Sequence, residues 1–425
     1  MTGRPRRGSL GPSPGGLPVG PILSVAGLGI VALLSLVLFT GDLAFLGLGR
    51  SHGGGNGGGA QHTPNPSQVF TPPPVERPAY PGTILFAQAG GIWSISTRGL
   101  ARLTTSGVDS QPAWSPDGTS IAFIQTRTKN GFGTYLGRSA PYEFDYPVLM
   151  TMTPTGASPK SLKGGLIRDS DGRQWFGYYL QPAISPDGKT IAMVSNAAHP
   201  FGGDLVLSLM PAAGGKVTTP DLPHNVSLGH NDPAWSPDGR TIAFSYNARG
   251  KGGTGDPRIA LYTVSNGRLH YLTGPGYARP SWSPDGKWIV AEATEGGRGR
   301  NVVILDAASG DEVASLTNDG SSFAPAWSPD GSWIAYLHSS AGEVDLELIE
   351  LGPGHPFGIR KHWDLTTDNQ LDGTSGPAWY VPPADLPAHP TTPAATPAPS
   401  PTPTPSPAAS SSAGPAGGAS GSAGP

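Results

Sequence analysis

The sequence "PAWSPDG" at residues 112–118 recurs along the chain, and its recurrence predicts the fold. It returns as "PAISPDG" at 182–188, "PAWSPDG" at 233–239, "PSWSPDG" at 280–286 and "PAWSPDG" at 325–331, and a truncated sixth copy, "PAWYVPP", occupies 377–383. The marker residues at the third position are Trp114, Ile184, Trp235, Trp282, Trp327 and Trp379. Their spacings of 70, 51, 47, 45 and 52 residues are typical of propellers and other repeat arrays.

Each residue of the motif has a predicted structural role. Proline presets φ for the first corner of a type I turn, aspartate suits the next position, and glycine accepts the left-handed φ that follows. Five equivalent turns cannot share one active site, so we interpret the motif as structural. Its residues are Trp114, Asp117, Gly118, Asp187, Trp235, Asp238, Trp282, Asp285, Trp327, Asp330 and Trp379.

The residues between the motifs predict four short strands per unit. The inner strand precedes each turn. After the turn come a second-strand run such as "TSIAFIQ" or "RTIAFSY", a third-strand run such as "NVVILDAA", and a fourth strand that often ends in Leu-Thr. Four β-rich runs bounded by Gly, Pro, Asn and Asp indicate a four-stranded antiparallel blade.

The two ends of the repeat region complement each other. The last copy supplies only "PAWYV", whereas residues 82–105 contain "GTILFAQ", "GIWSIST" and "LARLTT", which match second, third and fourth strands. The sequence therefore predicts an all-β fold, a six-bladed β-propeller over residues 81–383, whose last blade combines N- and C-terminal strands and leaves no long exposed edge.

The repeat "PxWSPDGxxIAF", followed by a strand ending in Leu-Thr, resembles the TolB-type branch of WD-like β-propellers. The resemblance covers residues 82–381, with Ile184 in place of one Trp and a truncated last copy. It implies a six-bladed propeller in an exported protein, and it implies binding more often than catalysis.

The N-terminus predicts a membrane anchor. Residues 22–41 carry no charge, and about 20 such residues can cross a bilayer. Arg4, Arg6 and Arg7 precede this segment, so the positive-inside bias places residues 1–20 in the cytoplasm and the propeller outside. We expect residues 21–48 to form a single-pass transmembrane helix, with a cleaved signal peptide as the alternative.

Two segments of biased composition flank the propeller. Residues 49–80 are Gly-rich and then Pro-rich, as in a linker. Residues 384–425 consist of Ala, Pro, Ser, Thr and Gly with few exceptions, and cannot bury enough apolar surface to fold. We predict a disordered linker and a disordered tail.

The composition and the motifs exclude several kinds of chemistry. The net charge is −3, and no basic block that would indicate a nucleic-acid partner follows residue 10. The absence of cysteine excludes disulfides, thiolate metal sites and a cysteine nucleophile. There is no HExxH motif and no GxSxG elbow. No cofactor is predicted; "DSDG" at 169–172 resembles the start of a calcium loop, which makes Asp169 and Asp171 candidates for a structural Ca²⁺ ion.

Two features depart from the repeat and are candidate binding surfaces. The first is an insertion in the first unit, in two pieces rich in the aromatic residues that favour recognition surfaces. Its candidates are Phe132, Tyr135, Tyr142, Phe144, Trp175 and Tyr178, with packing against their own blade as the alternative. The second is the channel mouth, just before the inner strands. Its candidates are Asp109, Gln111, Gln181, His230, Asp232 and Arg279.

The sequence therefore favours a membrane-anchored, extracytoplasmic propeller that binds an envelope or extracellular protein, peptide or glycan without catalysis. One alternative is a channel-centred carbohydrate-active enzyme, a lyase or glycosidase, which would need paired carboxylates. The other is a structural spacer of the cell envelope.

Overall fold

The computed structural model describes residues 78–387, with gaps at 136–137, 169–173, 198–204, 224–228, 248–256, 296–297, 353–356 and 368. The predicted anchor and most of the predicted linker and tail lie outside the described residues. The chain divides into two compact units after Leu386, and the propeller belongs to the first.

The described residues form an all-β, six-bladed propeller, as predicted. The first three strands are β1 (Thr83–Gln88), β2 (Gly91–Ser96) and β3 (Gly99–Arg102). Blade 1 is β4 (Asp109–Trp114), β5 (Ile121–Tyr135), β6 (Arg138–Met152) and β7 (Lys160–Lys163), and a separate hairpin, β8 (Leu166–Arg168) with β9 (Gln174–Phe176), follows it. Blade 2 is β10 (Tyr179–Ile184), β11 (Thr190–Ser195) and β12 (Val206–Pro211).

The remaining blades are regular. Blade 3 is β13 (His230–Trp235), β14 (Thr241–Asn247), β15 (Pro257–Thr263) and β16 (Arg268–Tyr271). Blade 4 is β17 (Tyr277–Trp282), β18 (Trp288–Glu295), β19 (Arg298–Asp306) and β20 (Glu312–Ser315). Blade 5 is β21 (Ser322–Trp327), β22 (Trp333–Ser340), β23 (Glu343–Leu351) and β24 (Ile359–Asp364). The last strand, β25 (Ala378–Tyr380), precedes a short 3-10 helix at Pro383–Asp385.

Blade 6 closes the ring in the predicted way. Its sheet order is β25-β1-β2-β3, so the C-terminal strand is the inner strand of a sheet whose other strands come from the N-terminal side. Strand β25 pairs antiparallel with β1 through Thr83 with Tyr380 and Ile84 with Trp379. The Trp379 indole also donates to the carbonyl of Pro81 at 2.9 Å.

Blade 2 differs from the expected four strands. Its sheet has three, and a single bridge between Leu209 and Thr218 stands where the fourth strand would pair. Nearby, the amide of Leu207 donates to Nδ1 of His230 at 3.0 Å, so a side chain replaces a strand partner. The segment that follows Thr218 contains Pro220 and Pro223, which have no N–H to give to a ladder.

The hydrophobic core is divided among the blade junctions. Six buried clusters each join two neighbouring blades; for example, Phe123 of blade 1 packs with Leu85 of blade 6, and Ile191 of blade 2 packs with Leu149 of blade 1. The blades are therefore held by apolar contact around the whole ring.

The five "SPDG" turns lie at one end of the blades, which we call the turn face. Their glycines have φ between 68° and 80°, and in the first the Gly118 amide donates to the Ser115 carbonyl at 2.9 Å. In the first four turns the Ser hydroxyl also donates to the Asp carboxylate at 2.6–2.7 Å. In all five turns the Asp carboxylate accepts from the amide two residues later, at 3.0–3.3 Å, and in the fifth turn Asp330 has this bond without the serine hydroxyl bond.

The opposite end carries the starts of the inner strands and the connections between second and third strands. This follows from the antiparallel register, which pairs Asp109 with Gln125 at one end of β4 and Trp114 with Ile121 at the other. We call this end the hairpin face. Thr83 and Tyr380, where the chain enters and leaves the propeller, lie at the turn face.

Candidate binding site at the hairpin face

The inner strands share a backbone distortion near the hairpin face. In five blades the residue before the motif proline has a positive φ of 49–53°, and the strand register shifts there as in a β-bulge. These residues are Gln111, Gln181, Asp232, Arg279 and Ala324. A left-handed φ on a non-glycine residue costs about 1–2 kcal/mol, so five repeated cases require compensating contacts.

The compensation comes from neighbouring blades. At four of these residues the backbone amide donates to a side chain of the blade before it, and at Gln111 it donates to Ser375 in the connection that leads into β25 of blade 6. The acceptors, in order around the ring, are Ser375 at 2.8 Å, Gln111 at 2.8 Å, Gln181 at 2.9 Å, Ser245 at 2.9 Å and Glu292 at 3.5 Å. We call these bonds the girdle. They join successive blades at five of the six junctions.

The girdle brings together four of the predicted channel-mouth residues. Gln181 makes two bonds with Asp232: its Oε1 accepts from the Asp232 amide, and its Nε2 donates to the Asp232 carboxylate at 3.0 Å. Ser245 donates to the same carboxylate at 3.0 Å and accepts from the Arg279 amide. Burial raises the pKa of Asp232, while the charge of Arg279 and the hydroxyl of Ser245 act in the opposite direction.

Beside the girdle lies a charged cluster of Arg279, Glu292 and Arg300. The Glu292 carboxylate is only 1% exposed and lies between Arg279 Nε at 3.8 Å and Arg300 Nε at 4.0 Å. The Arg300 guanidinium stands over the ring of Phe323, 3.8 Å from its centroid. The sequence interpretation missed Glu292, whose charge within the apolar run "KWIVAEA" was the available signal.

A turn at residues 372–375 reaches the same cluster. The carbonyl of Gly373 accepts from Arg279 Nη1 at 3.2 Å, and Ser375 supplies the girdle bond to Gln111. Asp372 holds the turn through bonds from the amide and hydroxyl of Thr374. The connection that leads into the closing strand therefore contacts the channel mouth.

Two predicted channel-mouth residues lie apart from the girdle. The carboxylate of Asp109 is buried and accepts from Gln125 Nε2 at 3.1 Å. The imidazole of His230 is also buried, with one nitrogen on the Leu207 amide and the other 3.0 Å from the Pro223 carbonyl. It occupies the junction of blades 2 and 3, against Phe244 and Tyr246. His230 lies outside the girdle because it is the first residue of β13, whereas the girdle bond is made by the third residue, Asp232.

The first piece of the insertion forms a long hairpin. Strands β5 and β6 have 15 residues each and pair continuously from Ile121 with Met152 to Tyr135 with Arg138. Strand β4 reaches only to Gln125, so about ten residues of each strand extend beyond it. At about 3.3 Å per residue, the hairpin projects roughly 30 Å from the hairpin face.

The second piece forms the β8–β9 hairpin, which packs at the base of the first. The ring of Phe176 lies 5.2 Å from Tyr146 and 5.4 Å from Phe144. Asn196 holds the adjoining backbone: its Oδ1 accepts from the Tyr178 amide at 2.8 Å, and its Nδ2 donates to the Phe176 carbonyl at 3.0 Å. Phe144 therefore belongs to an aromatic cluster, and Tyr178 is buried.

Several of the predicted site residues have side chains outside the described part of the structure. The backbone places Phe132, Tyr135 and Tyr142 on the projecting hairpin and Trp175 on β9, but their side chains lie outside the described ones. Asp169 and Asp171, the calcium candidates, are outside the described residues altogether. In the part of the chain that is described, no group of three His, Asp or Glu residues is placed to hold a metal ion. Nor does any described helix have the length and apolarity to span a membrane.

Comparison with known families identifies the repeat. Residues 173–356 match the family model described as the TolB beta propeller domain. The propeller is TolB-like. The matched region begins in the insertion and covers blades 2 to 4 and most of blade 5.

A solved structure of TolB shares the fold. TolB from Acinetobacter baumannii superposes with a TM-score of 0.50 at 19% identity, over 70% of this chain and 66% of that one. TolB from Agrobacterium tumefaciens gives a TM-score of 0.47 at 19% identity, over 69% of this chain and 92% of that one.

A curated relative is found in Bacillus subtilis (strain 168), where it is named "Uncharacterized peptidase YuxL". It is 30% identical over 148 residues, which are 35% of this chain and 18% of that protein. The TolB-like chain thus matches less than a fifth of the relative's length.

Proposed function

We propose that this TolB-like propeller is a membrane-anchored, extracytoplasmic binding module that takes an envelope protein, peptide or glycan on its hairpin face and performs no chemistry of its own. One observation carries the proposal: the β5–β6 hairpin, which breaks the repeat, projects from the same face that presents the girdle and the charged cluster. Binding sites on rigid repeat scaffolds are usually built from such departures on one face.

The position of the chain ends supports this arrangement. The chain enters and leaves the propeller at the turn face, through Thr83 and Tyr380. A tether formed by residues 21–80 would hold the propeller by its turn face and leave the hairpin face free for a partner. Within this proposal the N-terminus is cytoplasmic and the propeller lies outside a single-pass anchor.

The aromatic cluster supports a recognition role for the hairpin. Phe144, Tyr146 and Phe176 form a continuous group of rings at the hairpin base, and all three keep part of their surface exposed. Rigid, partly exposed rings next to polar groups are typical of the centre of protein interfaces.

The carboxylates at the channel mouth favour binding over hydrolysis of a glycan. A glycosidase needs two carboxyl groups facing the scissile bond. Here Asp232 is bonded by Gln181 and Ser245, and Glu292 lies between two arginines. Both carboxylates are occupied in holding blades together. The name of the Bacillus subtilis relative keeps a peptidase as the second candidate function.

The test compares two full-length variants for capture of a partner from envelope extracts. In the first, Thr128–Asp145 is replaced by Asn-Gly, a two-residue type I′ turn that joins the paired residues Arg127 and Tyr146. The second is Lys189→Glu at the turn face, where the lysine is exposed. We expect the first variant to lose partners that the second retains.

The contrary results are equally specific. If both variants capture the same proteins and bind the same array of envelope glycans, the hairpin is not the binding surface. If the unmodified chain cleaves fluorogenic peptides, the non-catalytic part of the proposal is wrong.

A further inference from the structure

We propose that Arg279 and Arg300 form a carboxylate-binding site at the channel mouth. This inference rests on the proposed function and deepens it, because it names the chemistry that a partner must present there. The carboxylate could belong to an acidic side chain of a protein segment or to a free small carboxylate, and the test below distinguishes these sources.

Arg300 is the first observation. Its side chain is only 12% exposed, yet its nearest charged atom, Oε1 of Glu292, lies 4.0 Å from Nε, beyond hydrogen-bond distance. Among the described residues, none of its guanidinium N–H groups has a hydrogen-bond acceptor. A guanidinium has five N–H donors, so a mostly buried one without acceptors is oriented for a group that is not part of the chain.

Phe323 fixes that orientation. The guanidinium lies over its ring at 3.8 Å from the centroid, a distance typical of a favourable cation–π contact. The ring holds one face of the guanidinium and leaves its in-plane N–H groups unblocked by this contact. A planar carboxylate binds a guanidinium through those in-plane groups, often with two parallel hydrogen bonds.

Arg279 adds the second cation. It stands 23% exposed, 3.8 Å from Glu292, with Phe323 also beneath it at 5.8 Å. One of its donors is used by the Gly373 carbonyl. The two arginines therefore share one aromatic ring and one carboxylate, which places both guanidinium groups at a single location.

The charge balance favours an anion. Arg279, Glu292 and Arg300 together carry one net positive charge, and the carboxylate of Asp232, which interacts with the charge of Arg279, is already engaged by Gln181 and Ser245. Burial lowers the pKa of Arg300, because desolvation disfavours its charged form. A bound carboxylate would offset that cost through charge-assisted hydrogen bonds.

The site departs from the repeat in the way that a binding site should. Ala324 is the equivalent of Arg279 in blade 5, Gly376 is its equivalent in blade 6, and the equivalents in blades 1 to 3 are glutamine or aspartate. Arginine is therefore not needed to make the girdle bond, which uses the backbone amide of this position. Its side chain serves a local purpose at the junction of blades 4 and 5.

The experiment follows the arginine Nε–Hε resonances of the full-length protein labelled with ¹⁵N-arginine. The probes are acetyl-Gly-Gly-Glu-Gly-Gly-amide, the same peptide with glutamine, and citrate. We expect the Arg279 and Arg300 signals, assigned through Arg279→Lys and Arg300→Lys, to shift with the glutamate peptide at about 1–10 mM, an affinity suited to one isolated contact. The glutamine peptide should leave them unchanged.

A shift with citrate but not with the glutamate peptide would assign the site to free small carboxylates. A shift with the glutamate peptide would support an acidic protein segment. Equal shifts with the glutamate and glutamine peptides, or none with any probe at about 10 mM, would overturn the inference.

Matched variants make the result specific. Arg300→Gln should weaken binding of the glutamate peptide about tenfold, the usual effect of losing one charge-assisted pair, and Arg300→Lys should retain part of it. Arg268→Gln, on the exposed outer strand β16, should change nothing. If Arg300→Gln melts too early to be titrated, the Arg279→Lys and Arg300→Lys series decides. If the unmodified protein binds none of the carboxylate probes but still captures its hairpin-dependent partner, the carboxylate site alone is refuted.

Discussion

The backbone amide of Gln181 donates to the side-chain Oε1 of Gln111 at 2.8 Å, so the channel-mouth residue of blade 1 holds the distorted strand of blade 2. Gln181 in turn supports blade 3, because its Oε1 accepts from the amide of Asp232. Gln111 and Gln181 thus act both as strained backbone and as the acceptor for the next blade. Some polar side chains at the channel mouth therefore hold neighbouring blades together.

Gln111→Ala should destabilise the propeller because it removes the acceptor of the Gln181 amide. An unpaired, partly buried N–H costs about 1–3 kcal/mol, and we expect the free energy of unfolding in urea to fall by an amount in that range. Gln111→Glu keeps an acceptor oxygen at the same place and should lose less. Equal losses in the two variants would show that the bond is not what matters.

Gly118→Ala should cost more than Gly188→Ala, although the two glycines have similar φ values of 68° and 70°. Both pay the left-handed penalty of about 1–2 kcal/mol. Only at position 118 would the new Cβ lie 2.2 Å from the Tyr380 ring; at 188 its nearest neighbour is Pro116 at 3.8 Å. Thermal unfolding of both variants measures the difference. Tyr380→Ala added to Gly118→Ala should reduce it, and the absence of any such rescue would contradict the contact.

Asn196→Ala should release the segment at residues 176–178 without unfolding the ring. Asn196 is 2% exposed, and its amide group makes both bonds that hold this segment against blade 2. We expect faster proteolysis near the β8–β9 hairpin and weaker capture of a hairpin-dependent partner. Thr218→Ala, which loses a hydroxyl bond to the Leu209 carbonyl on the same blade, is the control. Unchanged proteolysis would mean that the aromatic packing alone holds the segment.

The stability of the propeller should fall at acidic pH through its turns. The Ser115 hydroxyl, the largest cause, and the Thr119 amide lower the pKa of Asp117, and the Ser185 hydroxyl followed by the Lys189 amide does the same for Asp187. A folded-state pKa below the unfolded one adds stability above the unfolded value of about 3.9, and this is lost as pH falls through the folded value. The urea midpoint between about pH 5 and about pH 2 measures the loss.

Ser185→Ala should flatten that pH dependence, since it removes the largest cause of the shift at Asp187. Ser328→Ala is a matched control. Ser328 also accepts from an amide five residues later, and Asp330 accepts from the Ser332 amide as Asp187 does from the Lys189 amide, but Asp330 lacks the serine hydroxyl bond that Asp187 has. It should lower stability without changing the slope. Equal slopes in both variants would exclude the serine hydroxyl as the cause.

Much of the fold could be predicted because the same sequence pattern occurs in every blade. The turn chemistry of "SPDG", the alternation of apolar runs and the orphan strands at residues 82–105 together predicted six blades and their closure by β25. The two-piece insertion could also be located, since 70 residues separate Trp114 from Ile184. Local signals were enough wherever each blade repeats the same rule.

The site was harder to predict because it depends on contacts between blades. Nothing in the sequence indicates that Gln111 adopts φ 52°, since the bond that supports this conformation comes from Ser375, 264 residues away in the chain. His230 was predicted to lie at the channel mouth because it is close to the motif in sequence. In a bulged strand, however, neighbouring residues face different surroundings, and His230 faces the junction of blades 2 and 3. Arg300 carries no motif at all; its significance comes from Phe323, which is brought beneath it by the packing of blade 5 on blade 4.

Because Thr83 pairs with Tyr380, the two ends of the propeller chain lie side by side at a position where each other blade has a turn. Five of the six inner strands are followed by a turn that contains "SPDG", whereas the sixth, β25, is joined to β1 by hydrogen bonds rather than by peptide. A short bridge from Tyr380 to Thr83 would convert the ring into a continuous covalent circle. That circle could then be opened at any other turn, and the permuted chains should reach the same architecture through different orders of synthesis.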